Sequence, residues 1–234
     1  MADKHEVGTF EEYLKQIVYG GNDGIVTTFA IVAGFAGAGA EGAAHVGGIA
    51  VLLFGIANLL ADATAMGLGE FLSARSQQDV FNATRAREHQ QMQTNPEAAK
   101  ADMVNVLTKR GVSADDADQF SDILSRNPEF MTDFAMHYEV QMADPSDSSA
   151  AMNGLMTFLS FIVLGAVPLL PYFLLEPIQS TFYLSVASTF AALVALGLLR
   201  WKVTSESLFR CVGETVLIGG ICALVAFGVG LMFR

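Results

Sequence analysis

The sequence predicts an all-α membrane protein with five transmembrane helices and a small helical insert between the second and the third. Its 234 residues are 52% hydrophobic and only 16% charged, an unusual balance for a soluble domain of this size. The apolar residues also gather into five runs, each near the roughly 20 residues that a membrane-spanning helix needs. We divide the chain into a leader (1–20), two spans (21–72), an acidic insert (73–149) and three further spans (150–234).

Charge and cysteine content exclude several classes of function. A net charge of −11 makes nucleic acid an improbable partner, because phosphate binding needs clustered Lys and Arg. Cys211 and Cys222 lie in one apolar run at different heights, so they cannot pair within one chain. We find no nucleophile with a base, no phosphate loop and no HExxH pattern. We therefore expect neither an enzyme nor a bound cofactor, and the acidic excess suits cations.

The leader has the pattern of a short amphipathic helix, which would lie on the membrane surface; a solvated leader is the alternative. No cleavable signal peptide is visible in its polar, acidic sequence. The first span, at about residues 24–44, repeats small residues every four positions, which allows close helix packing in lipid. Before it stands Gly20-Gly21-Asn22-Asp23-Gly24. The glycines predict a turn or break, so Asp23 would be either an N-cap or a carboxylate at the mouth of a conduit.

The second span, within residues 49–71, carries a polar stripe. Asn58, Asp62, Met66 and Glu70 recur every four residues, so on a helix they advance only about 40° per step. An ionised carboxylate at the bilayer centre costs roughly 2.5 to 3.5 kcal/mol. A metal or proton path would justify that cost and is the reading we favour for Asp62 and Met66. The alternatives are pairing with a neighbouring helix, or Glu70 reaching the headgroups.

The insert is acidic and shows its own helix signals. It holds 13 acidic against 7 basic residues. Asn95-Pro96, Ser113 with Asp116, and Asn127-Pro128-Glu129 each predict a helix start, giving three or four short helices. Its best local ligand groups are Glu88-His89 and Met136-His137-Tyr138-Glu139, because carboxylate, imidazole and thioether together suit a transition metal. The alternative is that these are ordinary surface side chains.

The last three spans are predicted at about residues 150–175, 178–199 and 212–233. Pro168 and Pro171 would kink or end the first of them. Glu214 stands four residues after Arg210, so an ion pair within the helix at the membrane edge explains both without a functional role.

The distribution of basic residues predicts the orientation. With five spans, twelve of the 13 Lys and Arg residues lie on one side, which makes the N-terminus and the insert cytoplasmic by the positive-inside rule. The short loops suggest a prokaryotic plasma membrane, with a vacuolar membrane as the alternative.

Asp23, Asp62 and Met66 together suit a divalent transition metal. Carboxylates attract the hydrated ion, and a thioether favours Fe, Mn, Co or Zn over Mg and Ca. Three segments, VYGGNDGIVT (18–27), AMGLGEFLS (65–73) and GAVPLLPY (165–172), resemble the VIT1/CCC1 vacuolar iron transporter family, and the likeness covers nearly the whole chain. It implies a homodimer that exports Fe²⁺, often also Mn²⁺, from the cytosol in exchange for protons. The path would then lie near the dimer interface, between the first two spans.

The resemblance carries over residue by residue. Asp23 and Met66 match path residues of the family, but its plant and fungal members have a glutamate where this chain has Asn58. Asp62, one turn later on the same face, is the candidate substitute. The family's insert is a glutamate-rich metal-binding domain, whereas here the matching region is poor in glutamate. The candidate metal ligands are therefore Asp23, Asn58, Asp62, Met66 and Glu70 in the spans, and Glu88, His89 and Glu139 in the insert.

Two hypotheses follow. The leading one is a proton-coupled exporter of Fe²⁺, Mn²⁺ or both. The alternative is a membrane-anchored metal sensor or interaction protein, in which the acidic insert binds metal or a partner and the spans only dimerise.

Overall fold

The computed structural model describes residues 12–38, 44–145, 149–176, 178–204 and 206–233. Every regular element in these residues is helical, which confirms the all-α class. The helices are α1 (Leu14–Gly37), α2 (Ala44–Thr94), α3 (Pro96–Lys109), α4 (Ala114–Ser125), α5 (Pro128–Tyr138), α6 (Ala150–Gly165), a 3₁₀ turn (Val167–Leu169), α7 (Leu170–Leu174), α8 (Gln179–Val203) and α9 (Leu208–Leu231). The described residues form two compact units, a membrane unit within Met1–Phe71 and Ala150–Arg234 and an insert unit within Leu72–Ser149.

Four helical segments of the described chain are long and apolar enough to cross a membrane. They are Gly48–Thr94, Ala150–Leu174, Ser180–Val203 and Leu208–Leu231. The remaining predicted span corresponds to α1, which is not in this group because Asn22 and Asp23 interrupt its apolar character. Within the membrane unit, α1 packs against α6, α8 and α9.

The predicted break at Gly20-Gly21 is wrong. The helix α1 runs through both glycines, so Asp23 lies in its interior and is not an N-cap. The glycines instead allow α1 and α6 to touch: a Cβ atom on Gly20 would come within 2.6 Å of the Thr157 carbonyl oxygen. Helical backbone also keeps its own hydrogen bonds in lipid, which a break would lose. The part of the leader before residue 12 lies outside the described residues, and residues 14–20 belong to α1.

The helix α6 is the contact element between α1 and α2. A Cβ atom on Gly154 would come within 2.5 Å of the Gly67 carbonyl oxygen of α2, which shows how closely these two helices approach. Phe161 of α6 is fully buried in a cluster with Leu59 and Ala63 of α2. Small residues at these contacts thus allow both α1 and α2 to pack closely against α6.

The proline break after α6 is confirmed. The helix ends at Gly165, a 3₁₀ turn covers Val167–Leu169, and α7 follows. Ser185 of α8 donates a hydrogen bond to the Pro168 carbonyl at 2.6 Å, which satisfies an acceptor at the break.

The predicted ion pair of Glu214 is also confirmed. Arg210 Nε donates to Glu214 at 3.1 Å, and Arg200 at the end of α8 donates to the other carboxylate oxygen at 2.8 Å. Glu214 therefore links α8 to α9, which is a structural role.

The insert unit contains α3, α4 and α5 as predicted. Asn95 caps α3 by accepting from the Ala98 N–H, and Ser113 caps α4 by accepting from the Asp116 N–H at 3.2 Å. The Asn127 side chain makes no such bond at the start of α5, where Pro128 takes the first position.

Candidate functional site

The membrane unit carries a line of polar side chains along the facing parts of α1 and α2, which we call the polar seam. It consists of Gln16, Asp23, Asn58, Asp62, Met66 and Glu70. On α1, Gln16 and Asp23 are seven residues apart, which places them on nearly the same helix face. The four members on α2 are each partly buried.

Two carboxylates from different helices lie near each other at one end of the seam. Asp62 accepts a hydrogen bond from Asn58 Nδ2 at 2.6 Å, one turn earlier on α2. Asp23 lies close enough to Asp62 for their charges to interact. Like charges near each other in a medium of low dielectric repel strongly, so such a pair favours a cation or a proton between them.

Met66 lies between Asp62 and Glu70 on α2. It is partly buried and packs on the cluster formed by Leu59, Ala63 and Phe161. Packing on this cluster limits the positions that the thioether can take.

Glu70 is held by α1 at the other end of the seam. Gln16 Nε2 donates to Glu70 Oε1 at 3.3 Å, so Glu70 has a partner within the protein. Our sequence analysis missed Gln16. Its seven-residue spacing from Asp23 was the available signal, but a glutamine in a leader that reads as amphipathic gives no reason to pair it with a residue on another helix.

Asp23 also lines a cavity between α1, α8 and α9. This cavity has a volume of about 690 Å³ and is lined by α1, α8 and α9, including Asn22, Arg200 and Thr215. Asn22 Oδ1 is buried without a hydrogen-bond partner among the described residues. The carboxylate of Asp23 is thus next to both the seam and a space large enough for several water molecules.

In the insert unit, the predicted ligands separate. Partial burial, together with the charges of Asp102 and Glu88, raises the pKa of Glu139. His89, although adjacent to Glu88, contacts other residues: its ring lies 3.1 Å from Thr132 Oγ1 and 3.6 Å from a Glu129 oxygen. Successive residues on a helix point about 100° apart, which explains the separation.

The carboxylates Glu139 and Asp102 border a second cavity, of about 420 Å³. Lys109 and Arg110 line the same cavity, and Met136 is buried at 1% exposure. The group Met136-His137-Tyr138-Glu139 therefore does not offer all its ligand atoms to one point.

Within the described parts of this single chain, no group of three or more His, Cys, Asp or Glu side chains is placed to hold a metal ion. The structure instead brings the candidates together in smaller sets. Asp23 lies near Asp62 and Asn58, Glu70 contacts Gln16, and Glu139 lies near Glu88 and Asp102.

Comparison with known proteins supplies the family. The sequence profile of the VIT family matches residues 14–231. The chain is 30% identical to Vacuolar iron transporter 1 of Oryza sativa subsp. japonica over 220 residues, covering 94% of this chain and 85% of that protein. It is 31% identical to Vacuolar iron transporter of Plasmodium berghei (strain Anka) over 233 residues, covering 96% and 83%. This integral membrane protein therefore belongs to the VIT family.

Proposed function

We propose that the protein is a homodimeric exporter that moves Fe²⁺, Mn²⁺ or both out of the cytosol in exchange for protons. The observation that carries the proposal is the polar seam, where Asp23 and Asp62 come from different helices of an apolar unit and lie within electrostatic reach. The relatives are named as vacuolar iron transporters, which supports the choice of metal.

The ligand chemistry of the seam fits a transition metal. Asp23 and Asp62 supply hard, charged oxygens, and Met66 supplies a soft sulfur that Mg²⁺ and Ca²⁺ do not prefer. In this proposal the cation passes from one set of ligands to the next along the seam. Asn58 orients Asp62 through its hydrogen bond at 2.6 Å, so that its carboxylate faces the route.

Dimerisation would complete the site. The described residues of a single chain place too few His, Cys, Asp or Glu side chains around one point to replace the hydration shell of a metal ion. A second copy related by two-fold symmetry would bring a second seam to the interface and double the number of ligands. The exposed apolar side chains of α2, among them Leu53 and Leu60 at 63% and 51% exposure, suit either that interface or lipid.

The proposed topology has five spans with α1 as the first. Its burial against α6, α8 and α9 supports this, because a helix enclosed by spanning helices can carry polar residues that lipid would exclude. Basic residues then place the N-terminus and the insert in the cytoplasm. We propose the prokaryotic plasma membrane as the site of action.

Proton exchange follows from the charge of the seam. When the divalent metal leaves, Asp23 and Asp62 lose the two positive charges that separate their carboxylates, and uptake of two protons would restore the charge balance. A pH difference across the membrane would then drive release on one side and binding on the other.

The insert has a separate proposed role. Glu88 on α2, Asp102 on α3 and Glu139 at the end of α5 lie close enough for their charges to interact, so we propose that they bind cytosolic metal before transport. The same observation favours the alternative function, a metal sensor in which the spans only anchor and dimerise the chain. The two differ in whether metal crosses the membrane.

Reconstitution in liposomes with a metal-quenched dye tests the transport proposal. We expect wild-type protein to quench the dye with Fe²⁺ or Mn²⁺, and Asp62→Asn to lower the flux by at least about tenfold. Glu206→Gln is the matched control, because Glu206 pairs with Arg210 outside the seam. Flux equal to that of empty vesicles, or full flux after Asp62→Asn, would refute the proposal.

A further inference from the structure

At the end of the polar seam near the start of α1, the side-chain oxygen of Gln16 makes no hydrogen bond to the described residues. Gln16 is only 6% exposed, and its Nε2 donates to Glu70. Its Oε1 is buried and has no hydrogen-bond partner among the described residues. Buried polar atoms are almost always paired, so a buried acceptor without a partner requires an explanation.

Rotation of the amide changes what Gln16 offers to Glu70. A half-turn about the last side-chain torsion exchanges the nitrogen and the oxygen. Oε1 would then stand where Nε2 now lies, 3.3 Å from Glu70 Oε1. Two oxygens at that distance repel each other unless a positive charge lies between them.

The distance fits a shared divalent cation. Adjacent oxygen ligands of an octahedral ion with bonds of about 2.1 Å lie about 3.0 Å apart. The two side chains would therefore need to approach only slightly. Water molecules would fill the remaining positions, as is usual for small divalent ions that lose their hydration shell reluctantly.

We propose that Gln16 and Glu70 form a cation-binding site in which the amide oxygen and the carboxylate bind the metal together. When the site is empty, the amide N–H takes the place of the metal as the partner of Glu70. The inference rests on the proposed transport function and adds a ligand to it. Because Glu70 precedes the insert unit, which begins at Leu72, this is the site of the seam nearest to the insert in sequence.

A swap of the two side chains tests the proposal. Full-length variants are compared with the wild type in two measurements. Calorimetry in detergent gives the affinity for Mn²⁺, and transport into liposomes gives the KM for Mn²⁺. We expect Glu70→Gln to weaken binding by about tenfold, and the double variant Gln16→Glu/Glu70→Gln to recover most of this loss, because one carboxylate and one amide remain. Gln16→Leu removes the oxygen and should raise KM by about fivefold.

Ser160→Ala is the structural control. Ser160 Oγ donates to the Ile17 carbonyl of α1 at 2.7 Å, so this variant loses an interhelical hydrogen bond one position from Gln16 and leaves Glu70 untouched. Its KM should equal that of the wild type. If Gln16→Leu fails to fold, Gln16→Met replaces it with an unbranched, flexible side chain of similar length.

Two results would overturn the site: wild-type affinity in the Gln16 variant, or a swap variant no better than Glu70→Gln alone. Failure of the transport proposal gives a different result. Wild-type protein would then carry no Mn²⁺ into liposomes, while calorimetry on the Gln16 and Glu70 variants would still measure Mn²⁺ binding by these two residues.

Discussion

The polar seam and the insert both gather carboxylates, but they neutralise them differently. In the insert, basic side chains stand next to acidic ones: Arg85 pairs with Glu129 and Asp133, and Lys100 pairs with Asp118 and Asp122. In the seam, the hydrogen-bond partners are the neutral amides of Asn58 and Gln16. Among the ion pairs of the described residues, none includes a seam carboxylate.

This difference teaches what each region is suited to bind. A fixed cation beside a carboxylate competes with a metal for the same oxygens, whereas an amide orients the carboxylate without neutralising its charge. Among the ion pairs of the described residues no fixed cation competes for the seam carboxylates, which is what the proposed route for a mobile cation requires.

The largest expected effect comes from breaking the carboxylate pair of the seam. Asp23→Asn and Asp62→Asn should each lower metal flux by about tenfold to a hundredfold, and the double variant should be little worse than the poorer single one. The reason is that both residues act on the same cation. Initial rates of Fe²⁺ uptake into liposomes measure this, and full additivity of the two losses would show that the residues act at separate places.

The next effect tests whether the seam depends on close helix packing. A methyl group at Gly20 would meet the Thr157 carbonyl at 2.6 Å, so Gly20→Ala should destabilise the membrane unit by about 1 to 3 kcal/mol. Gly220→Ala is the control, because a Cβ atom there meets nothing within 4 Å. Thermal unfolding in detergent gives the comparison. Equal midpoints for the two variants would contradict the packing of α1 on α6.

Replacing Met66 should change the selectivity between metal ions more than it changes the transport rate. Met66→Leu conserves volume against Leu59 and Phe161, so the fold should remain intact. Loss of the thioether should lower flux of Fe²⁺ relative to Mg²⁺ by about fivefold. Competition of the two metals for dye quenching measures the ratio, and an unchanged ratio would assign Met66 to packing alone.

The smallest effect concerns the insert. Because the pKa of Glu139 is raised above that of the unfolded chain, its stabilising contribution is present at low pH and is lost as the pH rises through the folded-state value. Glu139→Gln should therefore slow hydrogen exchange at the end of α5 by about twofold near pH 7.5 and have no effect near about pH 4. Faster exchange in the variant at neutral pH would show that the carboxylate is stabilising.

Sequence reasoning located the parts of the molecule that local pattern encodes. The four-residue repeat from Asn58 to Glu70 gave one face of α2, and Ser113 gave the start of α4 because capping depends on neighbours in sequence. Sequence reasoning failed at Gly20. A glycine that lets two helices pack closely looks the same in the sequence as a glycine that allows a turn.

The remaining parts of the site depend on contacts between helices. Gln16 meets Glu70 only because α1 and α2 pack with a particular register. His89 and Glu88 are adjacent in sequence, but their separate partners follow from the positions of α3 and α5. Neither register nor partner is contained in a local pattern.

The most direct test of the account compares two variants for Fe²⁺ flux into liposomes. One neutralises the seam by Asp23→Asn and Asp62→Asn, and the other neutralises the insert by Glu88→Gln, Asp102→Asn and Glu139→Gln. The account expects the seam variant to carry Fe²⁺ about tenfold to a hundredfold more slowly than the wild type, and the insert variant to keep transporting with a higher KM. Transport at the wild-type rate by the seam variant would contradict it.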